Sequence, residues 1–405
     1  MREQKKKSTT KAVIGKKKST STGIELSTVK LKEMVSRAVK GASSKSILPI
    51  TAMMAIELKD NKLTLTTTDY TNYLYIIEDK VPGDDFYAVV LVDTFSKLIS
   101  RMSSEKVKLV LKPNALEVTG NGKYLIDLQQ EDDGSIIRFP NPIDGVDFEP
   151  LEDGIQLTTI HSIINTAKSS LAVTMEAPYY TGYYCGDRVV ATDTMKMCSM
   201  DIKLWDEPRL ISPELMNLLA VMTTEEIGVD VFEDQLVFTT PDCIIYGRTM
   251  EGIEDYAIDD INAVLDKEFE SKCKLKKSNV LQLLDRLSLF VSSLDKNVVD
   301  LHFIKDGVQF SSKALSGVET IEYVESENFE EFSCSLDIVQ LSSLVKSLAG
   351  DAVELFYGDD ALVKIVEGNT TLELCLVDED YEEDDDEEAE ESEDVEDEVI
   401  DDDEE

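Results

Sequence analysis

The chain has 405 residues, of which 42% are hydrophobic and 7% aromatic, and this is enough apolar material for several domain cores. Its 40 basic and 82 acidic side chains give a net charge of −42. That charge excludes a uniformly basic nucleic-acid coat protein and argues against DNA binding by bulk electrostatic attraction.

The charge is concentrated at the two ends of the chain. Residues 1–23 carry eight basic groups and one acid, whereas residues 378–405 carry twenty-two acids and no base. Like-charged runs with few large apolar side chains do not offset the entropy lost on ordering. We therefore predict a basic disordered arm at 1–23 and an acidic disordered tail at 379–405.

The cysteines and the hydropathy pattern give no sign of a metal site or a membrane span. Six cysteines are spread singly, without a CxxC pair, and only His161 and His302 could join them as ligands, so neither a metal site nor another cofactor is expected. No stretch approaches the roughly 18 residues of a membrane span, and the N-terminus lacks the apolar core of a secretion signal. The predicted location is a reducing cytoplasm.

Six amphipathic helices are predicted, each followed by short strands, because apolar residues recur at i, i+3, i+4 and i+7. In chain order these helices cover residues 28–40, 94–104, 159–169, 213–222, 277–290 and 338–348. The strands after them are bounded by Gly, Pro, Asp or Asn, as in the turn at Gly120-Asn121-Gly122.

The pattern repeats three times. The candidate N-caps Asp93, Ser212 and Asp337 are 119 and 125 residues apart, and the strand leucines at 116, 236 and 362 are 120 and 126 apart. The spacing predicts three domains at 24–146, 147–263 and 264–378, each made of two halves with one helix and antiparallel strands. This is an α+β fold with helices on one side of the sheets.

Positive charge is concentrated on the six helices. Their net charge is +7, although the rest of the body between the two tails is strongly acidic. Basic residues on an outer helix face are often only solubilising, but six helices with the same bias indicate one positive surface for a polyanion held without sequence readout. The basic residues that could form it are Arg37, Lys40, Lys97, Arg101, Lys168, Arg286 and Lys346.

Several short motifs in order resemble one known family. They are Leu48-Pro49-Ile50, the run from Asp60 to Asp69, Ala191-Thr192-Asp193, and Glu251-Gly252 followed by Asp255-Tyr256. Over residues 24–377 the chain resembles the bacterial DNA polymerase III beta subunit, the sliding clamp, as a divergent or phage-encoded member. The resemblance implies a head-to-tail homodimer, a ring with helices on its inner face around duplex DNA, in the cytoplasm of a bacterium or of a phage-infected host.

The resemblance also implies particular site residues. Lys45 falls where the family places a DNA-contacting arginine, and Tyr179 where it has a tyrosine near the channel mouth. Tyr124 on one edge and Phe290 with Val291 on the other fall at the family's subunit interface. Ordinary core packing is an equally good reading of Phe290.

The family's partner-peptide pocket, which binds the polymerase and the clamp loader through short peptide motifs, lies between the middle and last domains. Three departures from the family's pattern leave its preferred motif open: Thr194-Met195-Lys196 replaces Gly-His-Arg, Glu254 replaces a proline, and Cys375-Leu376-Val377-Asp378 replaces the usual Met-Pro-Met-Arg-Leu end. The corresponding positions here are Tyr180, Thr192, Thr194, Met195, Lys196, Met197, Ile258, Asp337, Leu362, Cys375, Leu376 and Val377.

No enzymatic motif is present in the sequence. There is no phosphate-cradling GxxxxGK[ST] or dinucleotide-binding GxGxxG, and neither histidine lies near a nucleophile motif. The leading interpretation is a non-enzymatic processivity clamp. The alternative is an acidic scaffold or DNA mimic that has the clamp fold and binds replication proteins without encircling DNA.

Overall fold

The computed structural model describes residues 23–43, 47–151, 154–173, 176–291, 297–312 and 317–377. Nearly all of the predicted basic arm and the whole acidic tail lie outside these residues. The backbone packs as two units, which we call the first unit (Met1–Asp193 and Met200–Ala257) and the second unit (Thr194–Ser199 and Ile258–Glu405). Within the described ranges no helix is both long and apolar enough to cross a membrane.

All six predicted helices are present, together with one that was not predicted. The helices are α1 Thr28–Ala38, α2 Val92–Ser100, α3 Leu157–Ala167, α4 Pro213–Leu219, α5 Ile258–Leu265, α6 Lys277–Leu287 and α7 Ile338–Ser347. The apolar stripes that predicted them are buried, as for Leu31, Ile160 and Leu283, each 0% exposed. The unpredicted helix is α5.

The strands are short and follow the predicted clusters. They are β1 Gly23–Ser27, β2 Met53–Lys59, β3 Lys62–Thr68, β4 Tyr73–Glu78, β5 Phe86–Leu91, β6 Lys106–Leu111, β7 Ala115–Thr119, β8 Lys123–Asp127, β9 Glu149–Pro150, β10 Ile155–Gln156, β11 Tyr183–Cys185, β12 Val189–Thr192, β13 Lys196–Met200, β14 Arg209–Ile211, β15 Glu226–Phe232, β16 Gln235–Thr240, β17 Cys243–Arg248, β18 Ser271–Lys276, β19 Val298–Ile304, β20 Gly307–Ser312, β21 Val318–Glu322, β22 Glu325–Glu327, β23 Phe332–Asp337, β24 Ala352–Tyr357, β25 Leu362–Glu367 and β26 Thr370–Cys375.

Helix caps agree with two of the three predicted positions. The Ser212 hydroxyl accepts a hydrogen bond from the Leu215 amide at 3.1 Å, and Asp337 caps α7. The prediction for Asp93 is wrong, because β5 runs directly into α2 and the N-cap is Leu91. Asp93 lies instead in the first turn, where its carboxylate pairs with Lys97 one turn later.

Antiparallel sheets dominate the first unit. One sheet has the order β1-β6-β7-β8, and a longer one has the order β10-β15-β16-β17-β4-β3-β2-β5, with β9 also paired to β15. The strands β14, β11 and β12 are further neighbours. In the longer sheet Tyr246 of β17 pairs with Tyr73 of β4. This pairing joins residues of the first two predicted domains into one sheet, which explains why they pack as one unit.

The second unit is also built from antiparallel sheets. Residues 196–199 of β13 neighbour β26 in the order β13-β26-β25-β24-β18-β22, and the other sheet has the order β21-β20-β19-β23. With helices α6 and α7 beside them, these sheets confirm the predicted α+β class. The division into three domains stays a prediction.

The threonine-aspartate pair in the motif that ends β3 closes a turn. The Thr68 hydroxyl donates to the Asn72 carbonyl at 2.6 Å, and the Asp69 carboxylate accepts from the amides of Thr71 and Asn72. These local bonds stabilise the hairpin into β4, as expected for side chains that bond to nearby backbone. In this first copy the motif has a structural role.

Candidate functional site

The predicted helix cations fall into three groups in the structure. Lys40, Arg101, Lys168 and Lys346 are exposed and make no ion pair among the described residues. Lys97 and Arg286 are exposed but paired, and Arg37 is buried. Lys45 lies outside the described residues. The predicted positive surface is therefore less charged than the sequence indicates.

Arg37 does not fit the prediction that it lies on an exposed positive surface. Its guanidinium Nη1 is 2.6 Å from the Asp242 carboxylate, and its Nε donates to the Val221 carbonyl at 3.0 Å. The Arg37 side chain is only 10% exposed. Asp242 lies in the turn between β16 and β17, far from Arg37 in the chain. Because Arg37 is buried against this carboxylate, it is a structural residue that connects α1 to that turn.

Lys97 and Arg286 each form an ion pair with a nearby acid. Lys97 Nζ is 2.7 Å from Asp93 on the same helix. Arg286 on α6 forms a two-pronged ion pair with Glu319 on β21, in which Nε donates at 3.0 Å. Both pairs are exposed and therefore individually weak, but they reduce the net positive charge that these helices present.

A cluster of four tyrosines lies in the first unit. The rings of Tyr179 and Tyr180 are 4.6 Å apart, Tyr180 is 5.1 Å from Tyr256, and Tyr256 is 5.2 Å from Tyr184. Gly252 has a φ of +87°, and a Cβ there would lie 3.3 Å from the Tyr179 ring. Burial raises the pKa of the Tyr256 phenol well above its ordinary range, so this ring is a neutral support.

The cluster brings together two tyrosines that the sequence analysis predicts for different sites. Tyr179 is a predicted DNA contact and Tyr180 a predicted peptide-site residue, yet their rings pack edge to face on each other. Tyr256 contacts both Tyr180 and Tyr184, and neither Tyr184 nor Tyr256 is among the predicted site residues. No sequence signal identifies Tyr184, because an alternating strand residue reads only as core.

Of the twelve predicted peptide-site residues, two lie in the first unit and ten in the second. In the first unit, Tyr180 is half-buried and Thr192 is 5% exposed at the end of β12. In the second unit, Met195 is 48% exposed, and Met197 is buried. Thr194 has a φ of +75°, an unfavourable conformation for a β-branched residue.

The second unit brings several of these residues together. The Cys375 amide donates to the Met195 carbonyl at 2.9 Å, and Leu362 is the register partner of Cys375. The next two amides donate to backbone carbonyls of this unit, that of Leu376 to Ala361 and that of Val377 to Ser335. Leu362, Cys375 and Met195 are therefore adjacent.

Asp337 and Ile258, also predicted for the peptide site, each lie at the start of a helix. The Asp337 carboxylate accepts hydrogen bonds from the Val339 amide at 2.7 Å and the Gln340 amide at 2.9 Å. It therefore satisfies two orphan amides at the start of α7. Ile258 is half-buried and is the first residue of α5.

Of the predicted interface residues, Tyr124 lies on an edge strand, and Phe290 and Val291 follow α6. Tyr124 is 41% exposed on β8, the edge of its sheet, and its neighbour Leu125 is 64% exposed. Phe290 is 52% exposed, so core packing is not its role. Leu289, after α6, and Val318, on the edge strand β21, are also exposed, and the sequence did not single them out. Unpaired edge strands with exposed apolar residues are ready to pair with another chain.

The cysteines are not reactive centres of a catalytic type. Five of the six are buried and Cys375 is half-buried. Burial raises the pKa of the Cys198 and Cys243 thiols to about 12, which keeps them protonated. Within the described residues no group of three His, Cys, Asp or Glu side chains could hold a metal ion.

Comparison with known proteins identifies the fold. The structure superimposes on the DNA polymerase sliding clamp from Bacillus subtilis with a TM-score of 0.76, over 88% of this chain and 99% of that chain, at 17% identity. The beta subunit from Thermotoga maritima matches with a TM-score of 0.72 and the same 88% coverage of this chain, at 17% identity and 99% coverage of that chain. The chain therefore has the fold of a DNA sliding clamp.

The sequence comparison points to the same group. The beta sliding clamp of Staphylococcus epidermidis is 22% identical over 345 residues, which cover 79% of this chain and 89% of that protein. The beta sliding clamp of Staphylococcus aureus strain Mu50 is also 22% identical over 345 residues, with the same coverage of both chains. No protein-family model matches the chain. The resemblance to bacterial beta sliding clamps is thus confirmed, and the low identity makes the chain a divergent relative.

Proposed function

We propose that this protein is a DNA sliding clamp, a non-enzymatic processivity factor without a cofactor that acts in the cytoplasm of a bacterium or of a phage-infected host. The observation that carries the proposal is the clamp fold, which covers 88% of this chain and 99% of the Bacillus subtilis clamp. A ring retains DNA by topology, so its strongly acidic exterior does not prevent DNA binding.

The ring would form from two copies arranged head to tail. The proposed domains at 24–146, 147–263 and 264–378 each contain two of the predicted helices, which gives six domains in a dimer. Two exposed sheet edges support this arrangement. In the first unit β8 carries the exposed Tyr124 and Leu125, and in the second unit the edge strand β21 follows Gly317, where a Cβ would lie 3.2 Å from the ring of Phe290, the neighbour of Val291. Pairing such edges would remove both from solvent.

DNA would be contacted through phosphates by the exposed helix cations that form no ion pair within the described part of the chain. These are Lys40, Arg101, Lys168 and Lys346, with Lys45 and Tyr179 added by family resemblance. Phosphate contacts carry no sequence information and permit sliding. Arg286 is better assigned to stabilising β21 through Glu319, and Lys97 is a weaker candidate because Asp93 neutralises it.

The DNA polymerase and the clamp loader would bind through short peptides at the predicted peptide site. Met195, Leu362 and Cys375 support this proposal, because they place an exposed methionine beside a strand pair of the second unit. Apolar anchors of an extended peptide suit such a surface, and Lys196 adds a positive charge. The departures from the family's motif predict a changed peptide preference.

Two measurements test the proposal. The monomer mass is 45.2 kDa, so light scattering at micromolar concentration should give about twice that mass for a two-chain ring. The protein, once loaded, should then be retained on circular DNA and lost from linear DNA at moderate salt. A monomer that binds replication proteins and shows equal retention on both DNA forms would support the acidic-scaffold alternative, which the neutralised Arg37, Lys97 and Arg286 also favour.

A further inference from the structure

Helix α5 is held to the second unit by unusually little apolar packing. It has eight residues, and only Ile261 among them is buried. Helix α6, in the same unit, buries Val280, Leu283, Leu284 and Leu287. A helix of two turns is not stable by itself in water, so other contacts must keep α5 in place.

Those contacts come from Lys364, in the centre of the sheet. Its ammonium group donates to the Leu265 carbonyl at 2.8 Å and to the Lys267 carbonyl at 3.0 Å. The Leu265 carbonyl is at the C-terminal end of α5, where acceptors lack helical partners and a cation is favourable, and the Lys267 carbonyl lies two residues further on, in the connection that follows. The ammonium group also lies 5.0 Å above the Phe269 ring. Lys364, on strand β25, therefore caps the C-terminal end of α5.

A buried carboxylate balances the charge of this lysine. Glu373 is the register partner of Lys364 on β26, and its carboxylate lies 3.4 Å from the ammonium group. The Lys364 side chain is 9% exposed and that of Glu373 is 4% exposed. Among the residues that the structure describes, neither Glu373 oxygen has a hydrogen-bond partner, and burial raises the pKa of this carboxyl. The two backbone hydrogen bonds that Lys364 donates go to the last residue of α5 and to the connection that follows it.

The same strand pair presents proposed peptide-site residues. Leu362 and Cys375 are register partners two residues along from Lys364 and Glu373, and side chains two residues apart share a sheet face. A second lysine in the connection after α5, Lys267, is 2.9 Å from the Asp359 carboxylate. Asp359 in turn accepts hydrogen bonds from the amides of 361 and 362 at the start of β25.

We infer that Lys364 is a positioning residue of the proposed peptide site: by capping α5 it holds the helix that begins with Ile258 on the strand pair that presents Leu362 and Cys375. The inference rests on the proposed peptide-binding function. Lys364 is too buried to touch a partner, so it acts only by keeping these residues in one arrangement, which lowers the ordering cost of binding.

Amide hydrogen exchange tests the cap directly in the full-length protein. The double variant Lys364→Met/Glu373→Met removes the cap without leaving a buried unpaired charge, so the sheet should fold. We expect exchange of the amides at 262–267 to accelerate about tenfold, because two charge-assisted hydrogen bonds are lost. Unaltered exchange in the double variant overturns the inference.

Lys272 supplies a matched control. It lies on β18 of the same unit, pairs with Glu327 and Glu354 at 3.4 Å, and sits 5.8 Å from the Phe356 ring. Lys272→Met therefore removes a lysine with similar ionic and aromatic contacts but no contact to α5. Exchange at 262–267 should stay within about twofold of the unmodified protein. A comparable acceleration in this control would show a general loosening of the sheet and overturn the specific role of Lys364.

A second arm measures binding with a defined probe. The probe is a peptide selected from a random phage-displayed library on the unmodified protein, which must protect Cys375 from N-ethylmaleimide. The double variant should bind it about fivefold more weakly through faster dissociation, whereas Lys272→Met should not. Equal binding despite faster α5 exchange overturns the positioning role. If no protecting peptide is found, the proposed peptide site fails, and the exchange arm still decides the cap.

Discussion

Replacing Arg37 with methionine separates a structural cation from a DNA-contacting one. Arg37 lies on α1 in the first unit, and its guanidinium reaches Asp242, which is 205 residues further along the chain. Methionine keeps the apolar stem of the side chain but loses the ion pair and the hydrogen bond to the Val221 carbonyl. The expected result is lower stability of the first unit.

The contacts indicate the size of the loss. Removing one partner from a buried ion pair costs about 3–5 kcal/mol, and a lost hydrogen bond about 1 kcal/mol more. The Asp242 side chain is 26% exposed and keeps donors from the Thr223 and Thr240 hydroxyls, both at 3.1 Å. These reduce the penalty, so we expect a loss of about 2–4 kcal/mol.

The loss should also depend on pH. Partial burial acts to raise the pKa of Asp242, but the hydrogen bond and charge of Arg37 and the two threonine hydroxyls outweigh it and lower the pKa. The pair therefore contributes fully above the unfolded-state pKa of about 3.9, and the contribution is lost as pH falls through the folded-state pKa. The gap between the two proteins should be widest near neutral pH.

Urea unfolding followed by Trp205 fluorescence is a suitable assay, because this is the single tryptophan and it is buried in the first unit. Lys97→Met is the matched control: Lys97 also pairs with an acid, at 2.7 Å, but the two side chains are 64% and 73% exposed. The control should cost less than about 0.5 kcal/mol. If Arg37→Met costs no more than Lys97→Met, the reasoning from burial is refuted.

Four further changes test separate contacts. Thr194→Gly should raise the urea midpoint, since it relieves about 1–2 kcal/mol of left-handed strain against a smaller glycine entropy cost; a lower midpoint would contradict this. Asp337→Ala should cost about 1 kcal/mol through its lost cap, and Asp337→Asn much less. Leu125→Asp should shift the light-scattering mass to the 45.2 kDa monomer; a persistent dimer would remove β8 from the interface. Deleting the acidic tail at 379–405 should increase low-salt retention on circular DNA, because its carboxylates compete with DNA phosphates for the basic residues; unchanged retention would contradict this.

The sequence determined those features that depend on near neighbours in the chain. Periodic apolar residues predicted six of the seven helices in the described ranges, and Ser212 and Asp337 were correctly predicted as caps because capping acts within three residues. The repeat spacing predicted the order of helices and strands. The local rules missed α5, whose short acidic sequence buries one residue only, and misplaced the start of α2, which follows β5 without a turn.

Tertiary structure alone decided which basic side chains are buried or ion-paired and which are exposed. Arg37, Arg286 and Lys364 look alike as basic residues in amphipathic elements, yet their partners lie 205, 33 and 99 residues away. A charge is neutralised or buried by whatever the fold brings within a few ångströms, and periodicity carries no information about that approach. The sequence thus determined which segments form the helices and strands, whereas their packing determined which side chains remain free to meet DNA or a partner.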